Sequence, residues 1–61
     1  MGFREYVVYL RIERAKLLLL NTSLSVNVIA EMCGYESASY FIKSFKAVTG
    51  MTPGQYQKEN L

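Results

Sequence analysis

From Phe3 to Leu20 the chain runs without a proline or a glycine, and its apolar residues fall on both sides of a helix. At about 100° per residue, Val8, Ile12, Ala15 and Leu19 line up as one stripe. Phe3, Tyr6, Leu10 and Leu17 form a second stripe on roughly the opposite side. Glu5, Glu13 and Lys16 lie on one flank between them, and Arg4, Arg11 and Arg14 lie mostly on the other. A helix that is apolar on opposed faces needs a neighbour on each. The remaining chain is able to cover only one face, and the pattern alone leaves open which. Val8, Ile12, Ala15 and Leu19 are expected to pack inward.

The rest of the chain breaks into shorter helices. Asn21, Thr22 and Ser23 read as a break, and Ser25 as an N-cap whose hydroxyl accepts a free backbone N–H. Leu24 and Ile29 have the spacing of a hydrophobic staple across that cap. The second helix is expected from Val26 to Cys33, with Val26, Ile29, Ala30 and Cys33 on one face. Gly34 ends it, because glycine tolerates a left-handed exit. Tyr35 and Glu36 make the turn, and Ser37 caps a third helix from Ala38 to Thr49. Phe41, Phe45 and Val48 form the inward stripe of that helix. Tyr40 joins the two phenylalanines as core, since aromatic residues at helical spacing are usually packed. Gly50 ends it. Thr52-Pro53 is a cap followed by a first-turn proline, opening a short helix to about Lys58 with Tyr56 tucked inward. No alternating Val/Ile/Thr-rich segment is present. The expected fold is all-α: a long helix, a helix-turn-helix and a short C-terminal helix, homeodomain-like in outline.

Composition excludes most chemistry. A chain of 61 residues allows one small domain, which buries only about 60% of its unfolded surface. One cysteine, Cys33, cannot form an internal disulfide, and with no histidine no zinc-finger pattern can be written. Cys33 closes an apolar face, so it reads as structural; a buried thiol fits the reducing cytoplasm. The longest apolar run, Leu17 to Leu20, falls far short of the roughly 18 residues of a membrane span. The N-terminus lacks the basic start and apolar block of a signal peptide. With no aspartate, no histidine and no evident pair among Glu5, Glu13, Glu31, Glu36 and Glu59, neither an enzyme nor a metal or other cofactor is expected. The net charge of +2 leans towards nucleic acid without singling it out, since many proteins with no such role share it.

The informative stretch is Ser25 to Gly50. It holds two short helices, a brief turn containing Gly34, and a small residue, Ala30, where the second helix must cross closely. That is the helix-turn-helix arrangement, whose second helix enters the major groove. Spacing alone fits a generic helical core equally well.

The residues themselves go further. The string RIERAKLLL, then VNVIAEMCGYESASYFIKSFKAVTGMTPGQY, resembles the C-terminal half of the AraC/XylS DNA-binding domain. Tyr6, Arg11-Ile12, Ala15, Leu18-Leu19, Ile29-Ala30, Gly34-Tyr35, Ser39-Tyr40-Phe41, Phe45-Lys46, Gly50, Thr52-Pro53 and Tyr56 carry the likeness in register across almost the whole chain. Tyr35 departs from it where phenylalanine is usual, and Lys43 and Gln57 where arginine is frequent, which weakens the phosphate or base contacts expected there. The resemblance implies a domain of two helix-turn-helix units joined by a long central helix, each unit placing a recognition helix in successive major grooves. On that reading residues 1–61 are one partial domain. Residues 3–20 are the central linker helix, 25–50 the second unit and 52–59 the C-terminal helix, and the first unit is absent.

Candidate contacts follow. Lys43 projects from the recognition helix towards a guanine edge or a phosphate, and Lys46, further along, towards a phosphate. Ala38 and Ile42 are placed to touch a thymine methyl, and Ser39 either hydrogen-bonds a base edge or supports the helix start. Ser37 caps the helix, whose N-terminal amides can also bind phosphate. Arg4, Arg11 and Arg14 offer two readings, added phosphate contacts or solvated pairing with nearby glutamates, and the pairing is the one expected. The expected function is sequence-specific binding of double-stranded DNA in transcription control. The alternative is a protein-interaction fragment whose bare stripe, Phe3, Tyr6, Leu10 and Leu17, pairs two copies or docks on a full-length regulator.

Overall fold

Each break marked in the sequence is built by an identifiable residue. The computed structural model describes residues 2–60, and among them forms α1 (Phe3–Asn21), α2 (Val26–Met32), α3 (Ala38–Thr49) and α4 (Pro53–Glu59). Helix α1 opens with the Gly2 N–H donating to the Glu5 carboxylate at 2.6 Å. It closes one residue later than expected, at Thr22, whose hydroxyl and backbone N–H both donate to the Leu18 carbonyl, at 2.6 and 3.1 Å. The Ser25 hydroxyl accepts from the Val28 N–H at 3.3 Å, the cap read from sequence. Helix α2 stops at Met32, with Cys33 as its C-cap rather than its last residue.

Gly34 and Gly50 are the two left-handed exits, at φ +90° and +82°. At Gly50 the N–H donates to the Lys46 carbonyl at 2.8 Å, so the turn satisfies a carbonyl that the end of α3 leaves free. Helix α4 begins with a reciprocal cap. The Thr52 hydroxyl accepts from the Gln55 N–H at 3.2 Å, and the Gln55 side chain accepts from the Thr52 N–H at 3.0 Å.

Helix α1 packs against all of α2, α3 and α4, and α3 sits between α2 and α4. The core is built from Ile12, Ala15 and Leu19 of α1, Ile29, Ala30 and Cys33 of α2, Tyr35 of the turn, and Phe41 and Phe45 of α3. Buried alanines at 15 and 30 leave room for close crossings. Phe41 and Phe45, both fully buried, carry the largest apolar areas, each worth roughly 1.5–3 kcal/mol of transfer free energy. Val8 and Tyr56 are half-buried against this core, as the periodicity predicts.

Two expectations fail. Val48 is 44% exposed rather than inward. It lies about 60° around α3 from Phe45, and α4 packs on the Phe45 side through Tyr56, at 5.5 Å between ring centroids. Tyr40 is 57% exposed rather than core: it is about 100° around the helix from Phe41, too far to share its face. The buried ring is instead Tyr35, 6% exposed and taken in sequence as turn. Among the described residues no helix is long and apolar enough to cross a membrane.

Candidate nucleic-acid interface

Helix α3 is seated by Phe41 and Phe45, so the arc opposite them faces out. Ser39, Ile42, Lys43 and Lys46 all lie on that arc and are exposed. A shallow open depression along the helix is lined by Ser37, Ser39, Ile42, Lys43 and Lys46. Tyr40 and Thr52 complete its edge. The structure thus brings together every candidate contact read from sequence except Ala38, which is half-buried and packs on the core. The first position of α3 is drawn inward because it follows the turn that Tyr35 pins.

The start of α3 is fixed with similar economy. The Ser37 hydroxyl accepts from the Tyr40 N–H at 3.2 Å. Tyr35 meets Tyr40 edge-on at 5.4 Å and Phe41 at 5.3 Å between ring centroids. From α1, the Arg11 guanidinium lies 5.4 Å over the Tyr35 ring, a cation–π contact. A Cβ placed on Gly34 would come within 3.3 Å of Arg11 Nε. Position 34 therefore requires glycine for its left-handed backbone, and a side chain there would also press on Arg11.

The electrostatics differ from expectation. The one ion pair among the described residues is Lys16 with Glu13, at 3.1 Å. Arg4, Arg11 and Arg14 take no glutamate there, and Glu5 is engaged by the Gly2 N–H. Lys43 and Lys46 are likewise without a carboxylate partner among the described residues. A row of solvent-facing cations without partners is the electrostatic arrangement that meets a phosphate backbone.

Residues 1–59 match the helix-turn-helix domain family. The chain is 44% identical over 50 residues to the xylose operon regulatory protein of Escherichia coli, covering 82% of this chain and 13% of that one. It superposes with a TM-score of 0.95 and 37% identity on the C-terminal domain of AraT, a response regulator from Geobacillus stearothermophilus. That match covers 97% of this chain and 49% of the other. The chain belongs to the AraC/XylS-type helix-turn-helix family. The C-terminal domain of the response regulator yesN from Fusobacterium nucleatum matches too, at 46% identity and a TM-score of 0.92, over 93% of this chain and 55% of that one. This AraC/XylS-type chain thus spans about half of the solved domains it matches and a fifth or less of the first curated relatives.

Other residues of the AraC/XylS-type chain serve the frame. Gln57, read as a weakened phosphate contact, instead donates from Nε2 to the Leu19 carbonyl at 3.0 Å. It satisfies one of the carbonyls that the end of α1 leaves free. Burial pushes the Cys33 thiol up from its ordinary range, with the charge of Arg14 opposing; a thiol held protonated is inert. The four residues of the predicted partner face, Phe3, Tyr6, Leu10 and Leu17, are all exposed, Phe3 at 83% and Leu17 at 63%. Tyr9 and Leu20 widen that face. Sequence reasoning missed them because they sit at its margin.

Proposed function

We propose that this chain binds double-stranded DNA in transcription control, with α3 as the recognition helix lying in the major groove. Ser39, Ile42 and Lys43 meet base edges, with Ala38 contributing at most a methyl group at the groove mouth. Lys46 and the Ser37 end of α3 meet phosphates. The single observation that carries this is the outward arc of α3: polar and basic, and seated on the opposite side by Phe41 and Phe45. Family membership supports the reading, as relatives of this chain are named transcriptional regulators. DNA as partner puts its place of work in the bacterial cytoplasm.

The apolar face of α1 belongs to the same reading. Residues 3–20 act as a central helix, and the face at Phe3, Tyr6, Leu10 and Leu17 carries a further helix-turn-helix unit. What supports this is the share of the solved C-terminal domains that this chain covers, 55% and 49%, at TM-scores of 0.92 and 0.95. Those domains hold about as much chain again. A second copy is the other occupant of that face.

The test is a fluorescence titration against random duplex DNA at low and physiological salt, repeated with Lys43→Ala and Lys46→Ala. With roughly 3–5 phosphate contacts, binding by the isolated chain should fall in the ~10⁻⁴–10⁻⁶ M range at physiological salt and weaken in both variants. Nanomolar binding of a single site by this chain alone, or variants that bind as wild type, would remove α3 as the reader.

A further inference from the structure

A recognition helix in the major groove, about 12 Å wide, has a phosphate wall on each side. Helix α3 supplies a cation to one wall only. Taking Lys43 as the centre of the outward arc, Lys46 lies about 60° to one side and Tyr40 about 60° to the other. On the Tyr40 side α3 itself offers no lysine or arginine.

That flank is completed by α1. A groove runs between the first half of α1 and the first turn of α3, with Arg4, Val7, Val8 and Arg11 on one side and Tyr40 on the other. It continues along Arg11, Gly34, Tyr35 and Tyr40, with Glu36 as the one carboxylate on its rim. Arg4 and Arg11 lie about 20° apart around α1, so their side chains leave the helix on the same flank. Neither is paired with a carboxylate among the described residues. Arg11 is half-buried, its guanidinium carbon over the Tyr35 ring at 5.4 Å from the centroid. That contact positions the guanidinium in advance, and its N–H groups donate to no side chain or carbonyl among the described residues. Tyr40 adds an exposed hydroxyl at the same place.

We infer that Arg4 and Arg11 of α1, with Tyr40 of α3, form a second phosphate-binding site that grips the DNA strand opposite the one met by Lys46. The inference rests on the reading of α3 as the recognition helix and extends it: α1 is then part of the DNA-binding surface as well as the frame. The guanidinium of Arg11 is presented for bidentate contact with a phosphodiester. Arg4 supplies an exposed cation about 10 Å further along α1. The contact is to backbone, so it adds affinity on every sequence and discriminates none.

The experiment measures the slope of log K against log salt on random duplex DNA for the wild-type chain, Arg4→Gln, Arg11→Met, Arg11→Lys and Arg14→Gln, each checked for helicity and melting. Arg14 lines no part of the groove and controls for loss of net charge. Arg4→Gln and Arg11→Met should each shallow the slope by about 0.9, weakening all sequences by the same factor. Arg11→Lys and Arg14→Gln should keep the wild-type slope. Arg4 is exposed and makes no packing contact in the core, so its variant remains decisive if Arg11→Met loosens the turn. A wild-type slope in Arg4→Gln, or an equal loss in Arg14→Gln, overturns the second site and leaves α3 as reader untouched. A wild-type chain with no salt-dependent binding overturns both.

Discussion

The outward faces of α1 and α3 are equally uncovered and opposite in chemistry. On α3, Ser39, Lys43 and Lys46 are at rest in water, and exposing them carries no penalty. On α1, Phe3, Tyr6, Leu10 and Leu17 keep apolar area in water that the inward stripe of the same helix removes. Each further side chain of that kind that becomes covered contributes roughly 1.5–3 kcal/mol. A face of the first kind can stay in water without cost; a face of the second kind gains from being covered, which is why exposed apolar patches mark contact sites. One small core holds both in place.

The largest expected effect removes that shared support. Phe45→Ala should destabilise the chain by about 3–5 kcal/mol, enough to unfold a domain this small, and both faces should vanish together in circular dichroism. A variant that kept its helicity would mean that α1 stands without α3, and the two faces would be independent. A smaller effect, of opposite sign, lies between them. The Tyr35 hydroxyl is buried with no hydrogen-bond partner, so Tyr35→Phe should stabilise by about 1 kcal/mol. That should raise the melting temperature by roughly 4–8 °C and leave the exposed arc of α3 unchanged. A loss of stability would show the hydroxyl to be engaged. The smallest effect sharpens the contrast. Leu17→Glu should leave the folded monomer within about 0.5 kcal/mol of wild type and abolish any self-association in sedimentation. A drop of several times that size would show Leu17 to be packed within its own chain.

Much of this was legible. Opposed stripes on α1 can be read because their members recur every third or fourth residue, and the stripe assigned inward, Val8, Ile12, Ala15 and Leu19, is the one that packs. Caps at Ser25, Ser37 and Thr52 and exits at Gly34 and Gly50 are local chemistry and stand where the sequence puts them. What escaped was set by angle or by distance along the chain. Tyr40 was grouped with Phe41 by residue type, although adjacent helical residues point about 100° apart. Tyr35 sits in a turn, where no period exists to mark burial; its place is decided by Arg11 of α1 and by the start of α3. The arginines were paired with glutamates by nearness in sequence, and the fold gives the one such pair to Lys16 instead. Gln57 and Leu19 are separated by 38 residues, and nothing in either neighbourhood announces the other.

That last bond makes the chain a buckle. Its tongue is the C-terminal helix and its bar is the last turn of the first one, so opening either costs the bond between them. Unwinding α1 by one turn releases α4, and releasing α4 uncovers Phe45, the ring that seats the reading helix. Fastened this way, the last turn of α1 and the whole of α4 should exchange their amide hydrogens together with the stretch of α3 around Phe45.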